Sequence, residues 1–427
     1  MTQKVDVFVH QNYRWNFSVN VIDNMLFVLA LSFVSRETIM PLLVSHLTDS
    51  KIAIGLIPAI SSIAFYLPQL FVASRAETMK RKLPFVLFVG GVIQRIPYLL
   101  VGFVILFFAQ DSPTIALILF FFFIGVGSFG GGVVTPAWFT MIGKIIPVKR
   151  RGIFFGMSDG FGMIAGIFGA FFAGIALDQV AYPLNFGTLF LIASVIMGLS
   201  WVWLAFTREP ESTNIKPQIP MRHYFKQLPA IIRTNHNYRR FMISYSVSRL
   251  SMMATGFYVV YGNDKFNLSG TDVGTLTAAL IGSQAVMQLA LGWLGDRSGH
   301  KLNLIISAFG LALAAVFAML ATDITSLSFS FILLGTAIAS DNISKFNIVL
   351  EFSADEDQPT FIGLTNTLLA PITFLAPILG GLIATTFDFQ EMFIVSMICG
   401  IVGGLLLIFW VQEPRHIIAQ PISHNSL

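Results

Sequence analysis

The sequence predicts an all-α polytopic membrane protein: twelve transmembrane helices in two pseudo-symmetric six-helix bundles. Three observations carry this. First, 55% of the 427 residues are apolar and only 11% are charged, with mean hydropathy +0.76. A soluble domain carries roughly 25% charged residues and could not hide so much apolar surface. Second, twelve stretches reach the ~20 apolar residues that a bilayer-crossing helix needs. Third, one long polar stretch, 207–238, divides them six and six. The composition excludes a disordered chain, a disulfide scaffold and a nucleic-acid binder, despite a pI near 9.1. Cys399 is the single cysteine, so one chain can build neither a disulfide nor a cysteine-based zinc site.

In order, the first six spans are expected near 17–44, 52–73, 84–108, 113–142, 153–177 and 184–206. Spans 7 to 12 are expected near 239–262, 271–293, 302–321, 326–350, 360–386 and 390–411. The domain expectation is therefore an N-terminal bundle (1–206), a cytoplasmic linker (207–238), a C-terminal bundle (239–411) and a cytoplasmic tail (412–427). Residues 1–14 are polar and the apolar stretch behind them outruns a signal-peptide core, so no cleaved leader is expected.

Orientation follows from Lys and Arg, which accumulate on the cytoplasmic side. With the N-terminus inside, twenty of the 26 basic residues face the cytoplasm. Lys51 and Lys265 face outward, and Arg36, Arg95, Arg249 and Lys345 fall within spans. Both termini are thus expected in the cytoplasm of a plasma (inner) membrane protein. Trp15, Trp293 and Trp410 fall at cytoplasmic span ends, where an indole is at home.

The halves repeat. Span 6 ends in Thr207-Arg208-Glu209-Pro210 and span 12 in Val411-Gln412-Glu413-Pro414. The opening of span 5, Gly152 to Asp159, aligns with Pro359 to Asn366 at an offset of 207, and that register places Gly174 on Gly381. Gly55 of span 2 and Gly274 of span 8 open equivalent helices. Such duplication is the usual organisation of secondary transporters.

Between spans 8 and 9 stands Gly292-Trp293-Leu294-Gly295-Asp296-Arg297-Ser298-Gly299-His300-Lys301. This resembles the G-x-x-x-D-R-x-G-R-K loop signature of the major facilitator superfamily, with Gly292, Asp296, Arg297, Gly299 and Lys301 as the gating-loop residues. The first-half counterpart, Ala73 to Lys82, keeps the basic end and lacks the glycines and the Asp, with Glu77 a candidate replacement. The resemblance implies a rocking pair of bundles with spans 1, 4, 7 and 10 lining the cavity. It thereby places Arg36 or Glu37, Trp138, Arg249 and the span 10 cluster near a substrate.

Complementary charge suggests a two-part cytoplasmic latch that closes when the cavity opens outward. Lys149, Arg150 and Arg151 precede span 5 within reach of Asp296. Asp355, Glu356 and Asp357 precede span 11, opposite Lys80, Arg81 and Lys82. Each exposed pair is worth only about 0.2–1 kcal/mol, and several together bias a balanced equilibrium.

Ionisable groups at bilayer depth mark cavities or ion paths. On a continuous helix Asp23, Ala30 and Glu37 would share a stripe, the two carboxylates about 21 Å apart, with the small Ala30 leaving room for water. Asp341 and Lys345, four residues apart, can pair on one face, with Asn342 beside them. Arg95, in span 3, reads equally as structural. The seven histidines are scattered over termini and loops and read as solvated.

These residues point to a secondary active transporter that moves a small solute by alternating access, coupled to protons. Glu37 is the first choice as proton carrier and Asp341 the second, and Arg249 and Arg36 either attract an anionic or polar group or hold those carboxylates ionised. Uptake symport and proton-antiport export of drugs or metabolites stay open at this point, as does a non-transporting receptor or scaffold of the same fold. An enzyme is not expected, because no nucleophile–base constellation, P-loop or metal-ligand cluster is present. No cofactor is expected; the partners are a small-molecule substrate, protons and the lipid bilayer, with the chain a monomer.

Overall fold

The computed structural model describes residues 2–77, 79–211, 232–352 and 358–415. Ten helices among them are long and apolar enough to cross a membrane. In the first half these are spans 2 to 6: Lys51–Glu77, Leu83–Phe108, Pro113–Ile145, Val148–Gln179 and Leu184–Ala205. In the second they are spans 8 to 12: Gly270–Ser298, His300–Leu320, Ile324–Leu350, Gln358–Thr386 and Phe389–Phe409. Spans 1 and 7 complete the twelve as broken helices. An even number of crossings leaves both chain ends on one side, here the termini side; the other is the distal side.

The breaks have local causes. Span 1 runs as Thr2–Ser32 and resumes as Ile39–Leu47. Between them lie Ser35, Arg36, Glu37 and Thr38, two poor helix formers and two charged groups seeking water, with Pro41 in the first turn of the second piece. Span 7 is His236–Leu250, a 3-10 turn Ser251–Ala254 and then Tyr258–Phe266, interrupted at Thr255 and Gly256. Span 3 contains a π-helical segment, Val89–Arg95, a geometry that recurs at functional sites because it re-aims side chains. On the distal side, reciprocal capping boxes start span 8 (Ser269 with Asp272) and span 10 (Asp323 with Ser326), satisfying otherwise orphaned N–H groups.

Apolar side chains face outward around the bundle, among them Phe107, Phe122, Phe168 and Val195. That belt is what a hydrocarbon environment solvates, and the protein is integral to the membrane. The inside is divided. One large core joins both halves, from Ala30, Ile57 and Phe190 across to Phe257, Leu276 and Phe393. Two smaller cores each belong to one half: Val86, Met141 and Phe154 in the first, Tyr238, Phe241 and Leu407 in the second. The shared core lies on the distal side and the separate ones on the termini side.

Glycines set this shape. A Cβ at Gly55 of span 2 would stand 2.1 Å from the Pro377 carbonyl oxygen of span 11, and one at Gly274 of span 8 would stand 2.8 Å from the Ala170 oxygen of span 5. Ala170 and Pro377 are equivalent on the 207-residue register, so the repeat builds the same backbone approach twice. Gly174 and Gly381 repeat it one turn further out. Toward the termini the pattern reverses: Gly156 and Gly160 meet nothing within 4 Å. Both share the helix face that carries Ile167 against Gly282. Spans 5 and 8 touch distally and splay toward the termini.

Candidate functional site

Two buried ion pairs occupy the bilayer interior, one in each half. In the first, Asp23 of span 1 meets Arg95 of span 3 at 3.3 Å and accepts 2.6 Å from the Ser200 hydroxyl of span 6. The π segment lets the Arg95 guanidinium curl back to donate 2.8 Å to the Gly90 carbonyl, with Phe27 under its other face. In the second half, Arg249 of span 7 meets Asp341 of span 10 at 2.7 Å, and the Tyr245 hydroxyl donates 2.6 Å to the same carboxylate. All four charged side chains are at most 13% exposed. Low dielectric strengthens each pair but makes an unpartnered member expensive.

Several sequence expectations change here. Asp341 pairs with Arg249, not Lys345, because the Arg249 fork reaches it across two helices. Lys345 instead lies 3.4 Å from the Tyr66 hydroxyl of span 2, in the opposite half. Asp23 is a buried ion-pair member, and Arg95 is its partner. The Asp23–Ala30–Glu37 stripe does not exist: the helix ends at Ser32, and Ala30 is fully packed. Glu37 lies in the break, half-buried, accepting 3.3 Å from the Ser35 hydroxyl; Arg36 beside it is half-buried too. Trp138 packs edge-on to Phe139 and Phe155, while Asn342 is exposed.

The loop between spans 8 and 9 is anchored within its own half. Lys301 donates to the Ile408 and Val411 carbonyls, and Arg415 to the Asp296 carbonyl. Arg297 lies over the Trp293 ring, and Gly292 faces open space. Gly299 adopts φ +87°, and a Cβ there would strike the Glu413 carboxyl at 2.5 Å, so glycine is required on both counts. His300, read as solvated, is buried and lies 3.2 Å from the Ser344 hydroxyl.

Glu413 also faces Glu351, and buried oxygens of both carboxyls lack a hydrogen-bond donor. Burial and the neighbouring Glu351 push the Glu413 carboxyl up to about 7. Arg415, 2.6 Å from Glu351, offsets part of the repulsion. The equivalent acid in the first half, Glu209, is instead well satisfied: it accepts from the Lys82 and Leu83 backbone N–H groups and pairs with Lys144 at 3.0 Å.

Of the expected latch, Lys149 and Arg150 are exposed and form no ion pair with Asp296. Arg151 turns back onto the Gly143 and Ile146 carbonyls. The Lys80 carbonyl accepts from Lys144, Arg81 pairs with Glu211 at 3.4 Å, and Lys82 is buried. Asp355, Glu356 and Asp357 lie outside the described residues.

What joins the halves is on the distal side, where the sequence drew no attention. Asp178, ending span 5, accepts from the Gly270 and Thr271 N–H groups and the Thr271 hydroxyl at the start of span 8. Lys51, opening span 2, pairs with Asp388 at 3.3 Å and donates to the Ala384 carbonyl. Thr277 donates 2.7 Å to Thr38 in the span 1 break. A carboxylate at a helix N-terminus was a legible signal in principle, but only for a reader who knew which helix it meets.

Two six-helix halves, closed at one end around paired charges, are matched by sequence as well: residues 25–238 and 241–425 fit the Major Facilitator Superfamily profile. The chain belongs to the Major Facilitator Superfamily. Its family and fold are those of a secondary transporter, not of an enzyme. Among solved structures, this superfamily member is similar to the nucleoside transporter NupG (13% identity, TM-score 0.73, 92% of this chain and 98% of that one). A D-xylose–proton symporter is comparable (12% identity, TM-score 0.70, 94% and 99%). Those likenesses concern the fold. Among curated proteins, the multidrug resistance protein MdtL of Shigella dysenteriae serotype 1 (strain Sd197) is 29% identical over 149 residues, 35% of this chain and 38% of the relative. MdtL of Escherichia coli (strain K12 / DH10B) is 28% identical over the same length. The match thus spans little more than a third of those relatives.

Proposed function

We propose that this protein moves a small solute by alternating access, coupled to protons, with Asp341 as the proton carrier. The supporting observation is the Asp341–Arg249–Tyr245 cluster: a carboxylate buried at the bilayer interior, on a span that borders the opposite half. When Asp341 takes up a proton, Arg249 loses its counter-ion and draws an anionic substrate into the cavity; when substrate leaves, Asp341 releases that proton and the ion pair with Arg249 reforms. Coupling then follows from a buried Arg that tolerates one negative partner at a time. The termini side is the cytoplasm, as the Lys and Arg distribution indicates, so the state described above is inward-open. The protein works as a monomer, because both ion pairs and both bundles come from one chain.

Proteoliposome flux tests this with a panel of ethidium, uridine, D-xylose and small organic acids under an imposed pH gradient. Asp341→Asn is expected to lose gradient-driven accumulation while keeping gradient-independent exchange, and Glu37→Gln to keep both. Accumulation that ignores the gradient, or an unaltered Asp341→Asn, would overturn the coupling scheme. Loss in Glu37→Gln alone would move the carrier to Glu37.

A further inference from the structure

Four cations lie inside the apolar stretches read from the sequence, and their partners are unequal. Arg95 and Arg249 each hold a buried carboxylate, and Arg36 lies in the distal break. Lys345 is half-buried and has no carboxylate within 4.0 Å among the described residues; its ammonium donates 3.4 Å to the Tyr66 hydroxyl, with the Phe346 ring beside it. An ammonium in that setting carries a desolvation cost that an incoming anion would relieve.

Tyr66 is also a wall of a crevice between spans 2 and 11, of about 370 Å³, within the size range of small-molecule sites. Ile63, Leu67, Phe374 and Leu375 supply an apolar body. Asn366 also lines it, and its amide makes no hydrogen bond among the described residues. Thr367 already donates to the Gly363 carbonyl. One positive charge behind Tyr66, an unbonded amide on Asn366 and an apolar trough therefore lie together where spans 2 and 11 of opposite halves meet.

We propose that this crevice is the substrate subsite and takes an amphipathic monoanion, with its head on Lys345 and Tyr66 and its apolar body against Ile63, Leu67, Phe374 and Leu375. The inference rests on the transport reading above and names its substrate class. A cation would meet Lys345 with like charge. A sugar or nucleoside would bury hydroxyls against side chains unable to bond them. A dianion would bring one charge more than Lys345 neutralises. The volume limits the body to one aromatic ring or a medium alkyl chain.

The test is saturable binding of radiolabelled 4-phenylbutyrate to the full chain in phosphatidylcholine nanodiscs. Decanoate should displace it, while 4-phenylbutanamide and 4-phenylbutylamine should be weaker by about tenfold or more. Lys345→Gln should weaken binding by a similar factor, Lys345→Arg should retain it, and Leu67→Trp should block it by filling the crevice. Equal displacement by the amide or the amine, or unchanged binding by Lys345→Gln, would overturn the assignment. So would palmitate, supplied in the disc, displacing better than decanoate, because its chain outgrows the crevice. The transport reading fails separately: spin labels at positions 149 and 297, in a Cys399→Ser background, would then show one distance distribution under every pH and ligand condition.

Discussion

The distal and termini sides of this Major Facilitator Superfamily member hold together by different means. Distally, spans of opposite halves meet backbone to backbone at Gly55, Gly174, Gly274 and Gly381, and polar clasps at Asp178 and Lys51 close over them. On the termini side each half is braced within itself. The Lys144–Glu209 and Arg415–Glu351 pairs and the two separate cores do not cross between halves. Contacts that cross must break in alternating access, and contacts within a half need not. A rocking motion, as proposed above, would leave each bundle intact, because the buried ion pairs lie within the halves and off the interface.

The sharpest way to break this contrast is to attack a brace. Asp23→Leu leaves Arg95 buried and unpaired, and should cost about 3–5 kcal/mol, read as a fall in thermal midpoint. The Asp23→Leu/Arg95→Met double variant should recover most of it. Neither should shift the balance of inward and outward states, because both residues belong to one half.

Attacking a crossing contact should do the reverse. Gly174→Leu places side-chain atoms where the Gly270 carbonyl oxygen already stands 2.7 Å from a Cβ. Overpacking of this kind costs about 1–3 kcal/mol. It falls on the distally closed state, so that state should lose about five- to 150-fold in population relative to the distally open one. Spin-label distances across the distal ends would report it, with fold stability nearly unchanged.

A smaller effect separates the two halves on the termini side. Glu209 faces Lys144, whereas its counterpart Glu413 faces Glu351. The folded Glu413 carboxyl titrates at about 7 against an ordinary 4.5. Between these values the folded state holds the proton that the unfolded state has released. Stability therefore falls as pH rises through that window and stays lower above it. Glu413→Gln should remove this loss: wild type and variant should melt alike near pH 4 and diverge by pH 8, with the variant more stable. The smallest effect belongs to the exposed Lys51–Asp388 pair, where Lys51→Ala should change stability by about 0.2–1 kcal/mol. Ionic strength should shrink even that.

Much of the fold was legible because bilayer physics is written in local composition. Apolar stretches of the right length, the polar division and the repeat of Gly174 on Gly381 required no knowledge of neighbours. The candidate site was legible only as a set of residues. Arg249, Asp341 and Lys345 stood out as intramembrane charges, but helical spacing paired Asp341 with Lys345. The true partners come from spans 7 and 2, and no spacing rule within span 10 could name them. The stripe through Asp23 and Glu37 failed for a related reason: it assumed a helix unbroken at Ser32. Arg95 was undervalued because the π segment that aims it has no sequence signature.

By itself the sequence determined the membrane class, the number and order of crossings, the twofold repeat and the inventory of buried charges. Those depend on transfer free energies that each segment carries wherever it is placed. The tertiary structure alone decided which charge neutralises which, which cation is left over, and which end of the molecule is closed. Coulombic pairing and backbone approach depend on distances between spans far apart in the chain, and only the packed helices set those distances.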